Sequence, residues 1–349
     1  MLNKNRRLAV LLLSLAITAC GLTQAQAADS ANPADTANPA SAASSINAEN
    51  KKVYEIKWAE EDLSTPMSWV ESPYFNNPLY KETRFENYND NAPIPPGGPR
   101  ETSFYMVYRA DGLYMFLQSN EPETDPNGNL KESWLEMFVV TGEGDLPYHQ
   151  MIVPTSGNAV EYYEWQTEYR DNRPLKGSVK INSGQIPGGW GTVVIIPWEN
   201  VYDALPLNGG NWQFNVIRWS PSDGQTWGGQ VHQPGRFNLL HFQAPTAEQR
   251  MAIQKYVLTY AWSKFQTTSD ELTAAWFNND NKEDKDFFNG LVRPMLVEGK
   301  VKGNQMHKLD RMNPAETDEL FQTVPEWMEL RYNVDDQRQQ FLKNALFGM

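Results

Sequence analysis

Between Val53 and Phe242 the chain carries short runs in which apolar and polar residues alternate, separated by Gly, Pro and Asn. Alternation with a period of two is typical of strands that bury one face. The strongest hairpin signal lies at 104–108 and 113–117, two runs joined by the turn Ala110-Asp111-Gly112. The same pattern predicts further strands at 134–140, 149–154, 159–165, 179–182, 192–197, 212–219 and 238–242.

Because no helical period separates these runs, they favour a mainly β fold, an antiparallel β-sandwich over residues 51–243. After Pro245 the apolar spacing becomes helical, and Thr246-Ala247-Glu248-Gln249 fits a capping sequence. We therefore expect a C-terminal helical region over 244–349. Packing on the sandwich and docking of a protein partner are both open for this region. Its predicted helices lie at about 251–265, 270–277, 284–291, 314–321 and 334–347.

The amino terminus predicts export. Lys4, Arg6 and Arg7 precede an apolar stretch, residues 8–19, that is too short to span a bilayer, so residues 1–27 read as a signal peptide. Residues 28–50 are rich in Ala, Ser, Asn, Pro and Asp, a composition that predicts a flexible, disordered linker. The expected location is beyond the inner membrane.

Two cleavage points fit this signal peptide. One follows Ala25-Gln26-Ala27, which satisfies the small-x-small rule. The other precedes Cys20, since Ile17-Thr18-Ala19-Cys20 resembles the bacterial lipoprotein box. We favour lipidation of Cys20, because it is the single cysteine of the chain. The protein is then an outer-membrane or cell-surface lipoprotein that meets a membrane only through its lipid, whereas cleavage after Ala27 predicts a periplasmic protein.

Composition narrows the classes of partner. The chain has 30 Lys plus Arg against 43 Asp plus Glu, a formal charge of −13 that disfavours nucleic acid. One cysteine excludes an intramolecular disulfide, a zinc-thiolate cluster and a Cys-x-x-Cys-His haem attachment. The 12 Trp and 15 Tyr in 349 residues favour an architecture with aromatic surfaces.

Several aromatic-rich segments follow one another in a fixed order: YRADGLY (108–114), WLEMFV (134–139), VIIPW (194–198), WQFNVIRW (212–219) and WGGQVH (227–232), followed by Pro234, Phe237 and Phe242. In this order they resemble the family 9 carbohydrate-binding modules and the family 9-like proteins of bacterial polysaccharide degradation. They depart from the family pattern at Ser133 or Trp134, where an acidic residue is common, and at Asn238, where a glycine is usual. The helical tail is similar to the appended region of the longer family 9-like proteins.

This resemblance implies a β-sandwich that binds poly- or oligosaccharide on an aromatic-lined face. A sugar ring needs flat aromatic surface beneath it and polar groups at its edge. By residue matching, Glu136 and Arg218 bind hydroxyls, Asn215 assists and one or more tryptophans stack. Each tryptophan has a structural alternative in the core, which better explains Trp198 and Trp212, and a buried Arg218–Glu136 pair would be structural. The candidate set is Trp134, Glu136, Asn215, Arg218, Trp219 and Trp227.

The resemblance also implies, for some members, a calcium ion. The oxygen-rich loop 121–129 offers Asp125, Asn127 and Asn129 as candidate ligands. A solvated loop explains the same residues, and it is the interpretation that we favour. His232 lies in a loop without an evident partner, which is typical of a structural hydrogen bond.

Three functions follow from these observations. We favour a non-catalytic carbohydrate-binding protein. A secreted glycoside hydrolase needs two carboxylates about 5–10 Å apart, and no motif singles out such a pair. A sandwich that binds haem b for electron transfer, as in the related DOMON proteins, has candidate ligands in Met106, Met115, Met137 and His232, although methionines on strands usually fill a core.

Overall fold

Two β-sheets that share one strand form the body of the protein. The signal segment, the linker, Cys20 and the loop with Asp125, Asn127 and Asn129 lie outside the residues that the structure describes, and so stay predictions. The structure, a computed structural model, describes residues 51–97, 101–120, 131, 133–141, 144, 147–154, 160–165, 170–171, 178–221 and 223–347.

The described strands are β1 (Val53–Trp58), β2 (Glu86–Asn87), β3 (Thr102–Arg109), β4 (Gly112–Ser119), β5 (Trp134–Val140), β6 (Tyr148–Pro154), β7 (Glu161–Trp165), β8 (Arg170–Asp171), β9 (Lys180–Ile186), β10 (Gly189–Pro197), β11 (Gly210–Trp219), β12 (Gly224–Thr226) and β13 (Asn238–Phe242). Each predicted run overlaps one of them, whereas β1, β2, β8 and β12 were not predicted. The hairpin, with its turn at 110–111, is confirmed as β3 and β4, and β5 and β13 have the predicted bounds.

The sandwich is confirmed, and β1 refines its topology. The first sheet has the order β8-β7-β6-β5-β11-β13-β1, with β12 and β2 added beside β11, and the second has the order β1-β3-β4-β10-β9. The four residues from Val53 to Ile56 pair with β13, and Lys57 and Trp58 pair with β3, both in parallel. The other pairings of the described strands are antiparallel. Both sheets are therefore mixed rather than purely antiparallel.

The main core lies between the two sheets. Alternate residues of β5, namely Leu135, Met137 and Val139, enter it, as period-two alternation requires. Trp198 and Trp212 are buried there, as the sequence predicted. Each sheet also has a second, outer face with a cluster of its own, and these two outer faces differ in their chemistry.

The C-terminal region is helical, as predicted. Its helices are α2 (Ala247–Phe277), α3 (Lys282–Phe287), α4 (Arg293–Gly303), α5 (Pro314–Phe321), α6 (Val324–Met328) and α7 (Leu330–Phe347), with a π-helical turn at Phe288–Val292 and a 3₁₀ turn at Asn304–Arg311. The sandwich part carries the short helix α1 (Pro66–Val70) and 3₁₀ turns at Trp198–Val201 and Pro234–Arg236.

Local chemistry explains where α2 begins and why it is long. The Thr246 side chain accepts from the Gln249 backbone N–H, and the Gln249 side chain accepts from the Thr246 backbone N–H. The predicted capping box is therefore confirmed. The two helices predicted over 251–277 are one, because the intervening residues include no Gly or Pro and because Thr268 and Ser269 are buried. α4 was missed, since Val297 and Val301 are exposed and break the apolar period.

The helices pack on the sandwich. α2 contacts the 3₁₀ turn Trp198–Val201, and the Tyr202 hydroxyl donates to Glu329 Oε1 at 2.6 Å. The described residues of the sandwich and of the helical region group as one unit. In the part of the chain that the structure describes, none of the helices is both long and apolar enough to cross a membrane.

Candidate functional site

The outer face of the first sheet carries the aromatic residues of interest. On β5, Trp134, Glu136 and Phe138 point away from the core, since their neighbours Leu135 and Met137 point into it. The register places Trp219 of β11 beside Trp134. It also places Gln150 of β6 beside Phe138, and Trp165 of β7 beside Tyr148. Four strands therefore contribute to one surface.

A chain of hydrogen bonds crosses these four strands. The Trp219 indole N–H donates to Glu136 Oε2 at 2.8 Å, and the Gln150 amide donates to Glu136 Oε1 at 2.6 Å. The Trp165 indole N–H donates to Gln150 Oε1 at 2.9 Å. Each tryptophan is thus tied down by its polar edge, while its ring stays half-buried. We call this set the Glu136–Gln150 bridge.

The bridge is buried beneath the rings that it holds. Glu136 is 8% and Gln150 5% exposed. Burial raises the pKa of Glu136, and the hydrogen bonds from Trp219 and Gln150 oppose that rise because they favour the ionised form. Since both carboxylate oxygens already accept from protein donors, the geometry makes Glu136 a positioning residue for the rings.

Trp219, Trp134 and Tyr88 form the first aromatic patch, which we call the Trp219 patch. The Trp134 and Trp219 centroids are 6.3 Å apart with their planes 31° apart, and Trp134 is 37% exposed. Tyr88 meets Trp219 edge-on at 4.6 Å. Gly224 lies behind the Trp219 ring, where a Cβ would come within 2.6 Å of it. A side chain at 224 would displace the ring.

Trp165, Tyr148 and His232 form the second patch, the Trp165 patch. Trp165 stacks on Tyr148 at 5.6 Å with 12° between the planes, and the exposed His232 ring lies 4.5 Å from Trp165. His232 Nδ1 is 2.9 Å from the Tyr148 hydroxyl, so a structural hydrogen bond is confirmed. Burial raises the pKa of Tyr148 to about 12, so this tyrosine stays protonated at neutral pH.

Two predicted site residues lie in the interior instead. Asn215 is fully buried, and its amide anchors the loop after β12 by accepting from the Gly228 N–H and donating to the Gly229 carbonyl. Trp227 is buried in the main core, edge-on to Phe104 at 5.2 Å. Neither side chain offers surface to a ligand.

Arg218 lies apart from Glu136. Glu136 pairs with Ile217, so its β11 neighbour Arg218 points to the opposite side of the sheet. There Arg218 is buried, donates to Thr102 Oγ1 of the second sheet at 2.9 Å and lies 3.6 Å from Asp223. It ties the two sheets together, and the structural pair that the sequence suggested with Glu136 does not form.

Sequence reasoning missed Gln150 and Trp165 as site residues. Both lie on predicted strands, but their shared surface with Trp219 depends on the pairing order β11-β5-β6-β7. The available signal was alternation, which places Gln150 and Ile152 on one face of β6. It cannot say which strand lies alongside.

The described residues offer no metal or haem centre on this surface. No group of three or more His, Cys, Asp or Glu side chains is placed to hold a metal ion in the part that the structure describes. The candidate haem ligands are separated, because Met106, Met115 and Met137 fill the main core while His232 lies on the outer face.

No protein-family model matches the chain, and no curated protein matches it. Solved structures similar to it include a family 9 carbohydrate binding module from Caldicellulosiruptor kristjanssonii in complex with cellotriose, at 10% identity over 56% of this chain and 95% of that chain, TM-score 0.37. A family 9 carbohydrate binding module from the same organism in complex with glucose is similar at 11% identity over 56% of this chain and 97% of that chain, with a TM-score of 0.37.

A putative carbohydrate-binding protein from Bacteroides uniformis is also similar, at 15% identity over 55% of this chain and 100% of that chain, with a TM-score of 0.39. At these identities and TM-scores, any statement about a ligand rests on this chain's own residues.

Proposed function

We propose that the protein is a non-catalytic carbohydrate-binding protein that holds an oligosaccharide or polysaccharide on the outer face of the first sheet. The observation that carries this proposal is the Glu136–Gln150 bridge, which fixes Trp219 and Trp165 by their indole N–H groups and leaves their rings as platforms. A ring held before the ligand arrives loses little conformational freedom on binding.

The spacing of the platforms favours an extended glycan chain. Each step along Trp219, Glu136, Gln150 and Trp165 moves one strand across and two residues along the sheet. With ~4.8 Å between strands and ~3.4 Å per residue, the two tryptophan Cα positions are roughly 25 Å apart. The rings themselves lie closer, because both indole N–H groups point inward to the bridge. A surface that extends over four strands favours a chain of several sugar units over a single sugar ring.

The state of the carboxylates favours binding over hydrolysis. A glycosidase needs one carboxyl group that holds a proton and points at the leaving oxygen. Both oxygens of Glu136 accept bonds from neighbouring side chains. Glu161, in the same cross-strand row, accepts from the Tyr163 hydroxyl at 2.5 Å.

The test is retention by a panel of soluble and insoluble polysaccharides. We would compare the chain from Ala28 onward with its Trp165→Ala and Trp219→Ala variants. The expected result is retention by one class of glycan, with each variant weakened about tenfold or more, that is by about 1.4 kcal/mol. Phe277→Ala is the matched control, because it removes an aromatic ring that is 83% exposed on α2.

Unchanged retention in both folded tryptophan variants would remove this surface as the site. New reducing ends in the glycan would instead support the hydrolase. Repeating the assay with a calcium chelator tests whether Asp125, Asn127 and Asn129 hold a metal that binding requires.

We also propose that the protein is exported and that Cys20 carries a lipid. The support is the sequence of the first 27 residues alone. Labelled fatty acid should enter the wild-type chain and be absent from Cys20→Ala. Equal labelling of the two would contradict lipidation and favour cleavage after Ala27.

A further inference from the structure

The helical region carries a groove that the sheet surface does not explain. It lies between α2 and the 3₁₀ turn Asn304–Arg311 and has a volume of about 420 Å³. Ligand clefts commonly span about 300–1,000 Å³, so the groove is large enough for a small ligand.

Two tyrosine rings form one wall of this groove. Tyr256 and Tyr260 are one helical turn apart on α2, so they lie side by side on one face, and both are half-buried. Together they offer an aromatic wall at the surface where α2 meets the sandwich.

The two rings are held in place by the interior of the protein. Tyr256 and Tyr260 both pack against the main core. A ring that is fixed before a ligand arrives loses little conformational freedom on binding.

The rim of the groove is polar and balanced in charge. Thr259 and Ser263 add hydroxyl groups from the exposed side of α2. Lys255 lies at one edge with its Nζ 3.3 Å from the Asp310 carbonyl oxygen, and the Asp310 side chain brings the opposite charge. One ammonium and one carboxylate favour an uncharged ligand with many hydroxyl groups over an anion or a cation.

From this arrangement we propose that the groove is a second carbohydrate-binding site, separate from the outer face of the first sheet. Its occupant is a short segment of neutral oligosaccharide, whose C–H face lies on Tyr256 and Tyr260 and whose hydroxyls meet Thr259, Ser263, Lys255 and Asp310. The ligand class rests on the proposed function, but the site itself does not. A chain with two sites holds a polymer more tightly than one, provided that both can be filled together.

Fluorine NMR on protein labelled with 3-fluorotyrosine tests the groove directly. The Tyr256 and Tyr260 signals are assigned with Tyr256→Phe and Tyr260→Phe. The probes are the hexasaccharides of cellulose, xylan, laminarin and mannan, each raised to ~10 mM, which saturates a site with a Kd of about 1 mM. We expect both signals to shift with one of these probes.

The background variant carries Trp165→Ala and Trp219→Ala, which removes both platforms of the sheet. The groove signals should shift in this background as they do in wild type. Ser263→Arg fills the groove from an exposed position without removing buried packing, and it should abolish the shifts of Tyr256 and Tyr260. Its retention through the sheet surface should persist.

The outcomes separate the two sites. Signals of Tyr256 and Tyr260 that stay unchanged with every probe would overturn the groove while leaving the sheet surface standing. Shifts seen in wild type but absent from the double tryptophan variant would show an effect transmitted from the sheet, which also overturns it. Shifts that persist while the tryptophan variants retain glycan normally would support the groove and remove the sheet surface.

Discussion

The two outer faces of the sandwich use tryptophan in opposite ways. On the second sheet, Trp69 of α1 is fully buried, donates its indole N–H to the Leu63 carbonyl at 2.9 Å and stacks on Phe116 at 5.7 Å. The segment 59–80 packs over an apolar cluster there. On the first sheet, Trp134, Trp165 and Trp219 remain at the surface.

The indole N–H does not distinguish these faces, because Trp69, Trp165 and Trp219 all donate theirs inward. The faces differ in the group that accepts this hydrogen bond and in whether a segment of the chain packs over the ring. Trp69 bonds a backbone carbonyl beneath its own segment, whereas Trp219 bonds a buried carboxylate and keeps part of its ring open to solvent. A tryptophan offers surface to a ligand where its ring stays partly exposed, as it does at Trp134, Trp165 and Trp219.

The largest expected effect separates the faces by stability. Trp69→Ala should cost about 3–5 kcal/mol in the free energy of unfolding, because it opens a cavity in a closed cluster. Trp134→Ala should cost about 1 kcal/mol or less, since the ring lies partly in solvent. Urea unfolding measures both, and glycan retention should fall for Trp134→Ala alone. Equal losses of stability would mean that the two faces are packed alike.

A second change moves a ring without removing it. Gly224→Ala places a Cβ within 2.6 Å of the Trp219 ring. The expected cost is about 1–3 kcal/mol of stability from overpacking, with weaker glycan retention because the platform shifts. Gly184→Ala is the matched control, because a Cβ added at this strand glycine would meet nothing within 4 Å. Retention that is the same in both variants would show that the position of Trp219 does not matter.

The smallest effect concerns pH. Because burial raises the pKa of Glu136 above 4.5, the folded chain holds this proton more tightly than the unfolded chain. Its contribution to stability is therefore greatest below 4.5 and declines as the pH rises through the raised pKa. Glu136→Gln should remove that decline.

Melting temperatures of wild type and Glu136→Gln from about pH 4 to 8 measure this difference. Glu161→Gln serves as the control, since Glu161 is an exposed carboxylate in the same cross-strand row. If the Glu136→Gln curve runs parallel to that of wild type, burial does not set the ionisation of Glu136.

Much of the fold was legible from local patterns. The hairpin β3–β4, the strand β5 and the capping box at Thr246 were predicted because each depends on residues close together in the chain. The parallel pairings of β1 were not, since they join residues far apart in sequence and leave no local mark. The candidate site residues divide in the same way. Trp134, Glu136 and Trp219 were predicted and share a surface, whereas Gln150 and Trp165 were missed because their place beside that surface depends on strand order.

The sequence by itself determined most of the strands, the beginning of α2 and which residue types could bind a sugar, because alternation, capping and turn chemistry act over a few residues. The burial of Trp198 and Trp212 was predicted, but only the tertiary structure decided that Trp227 lies in the core while Trp165 and Trp219 stay partly exposed. Strand order placed Glu136 and Gln150 between Trp219 and Trp165, and alternation along β11 turned Arg218 to the other side. Long-range pairing and the path of the covering segments make that choice.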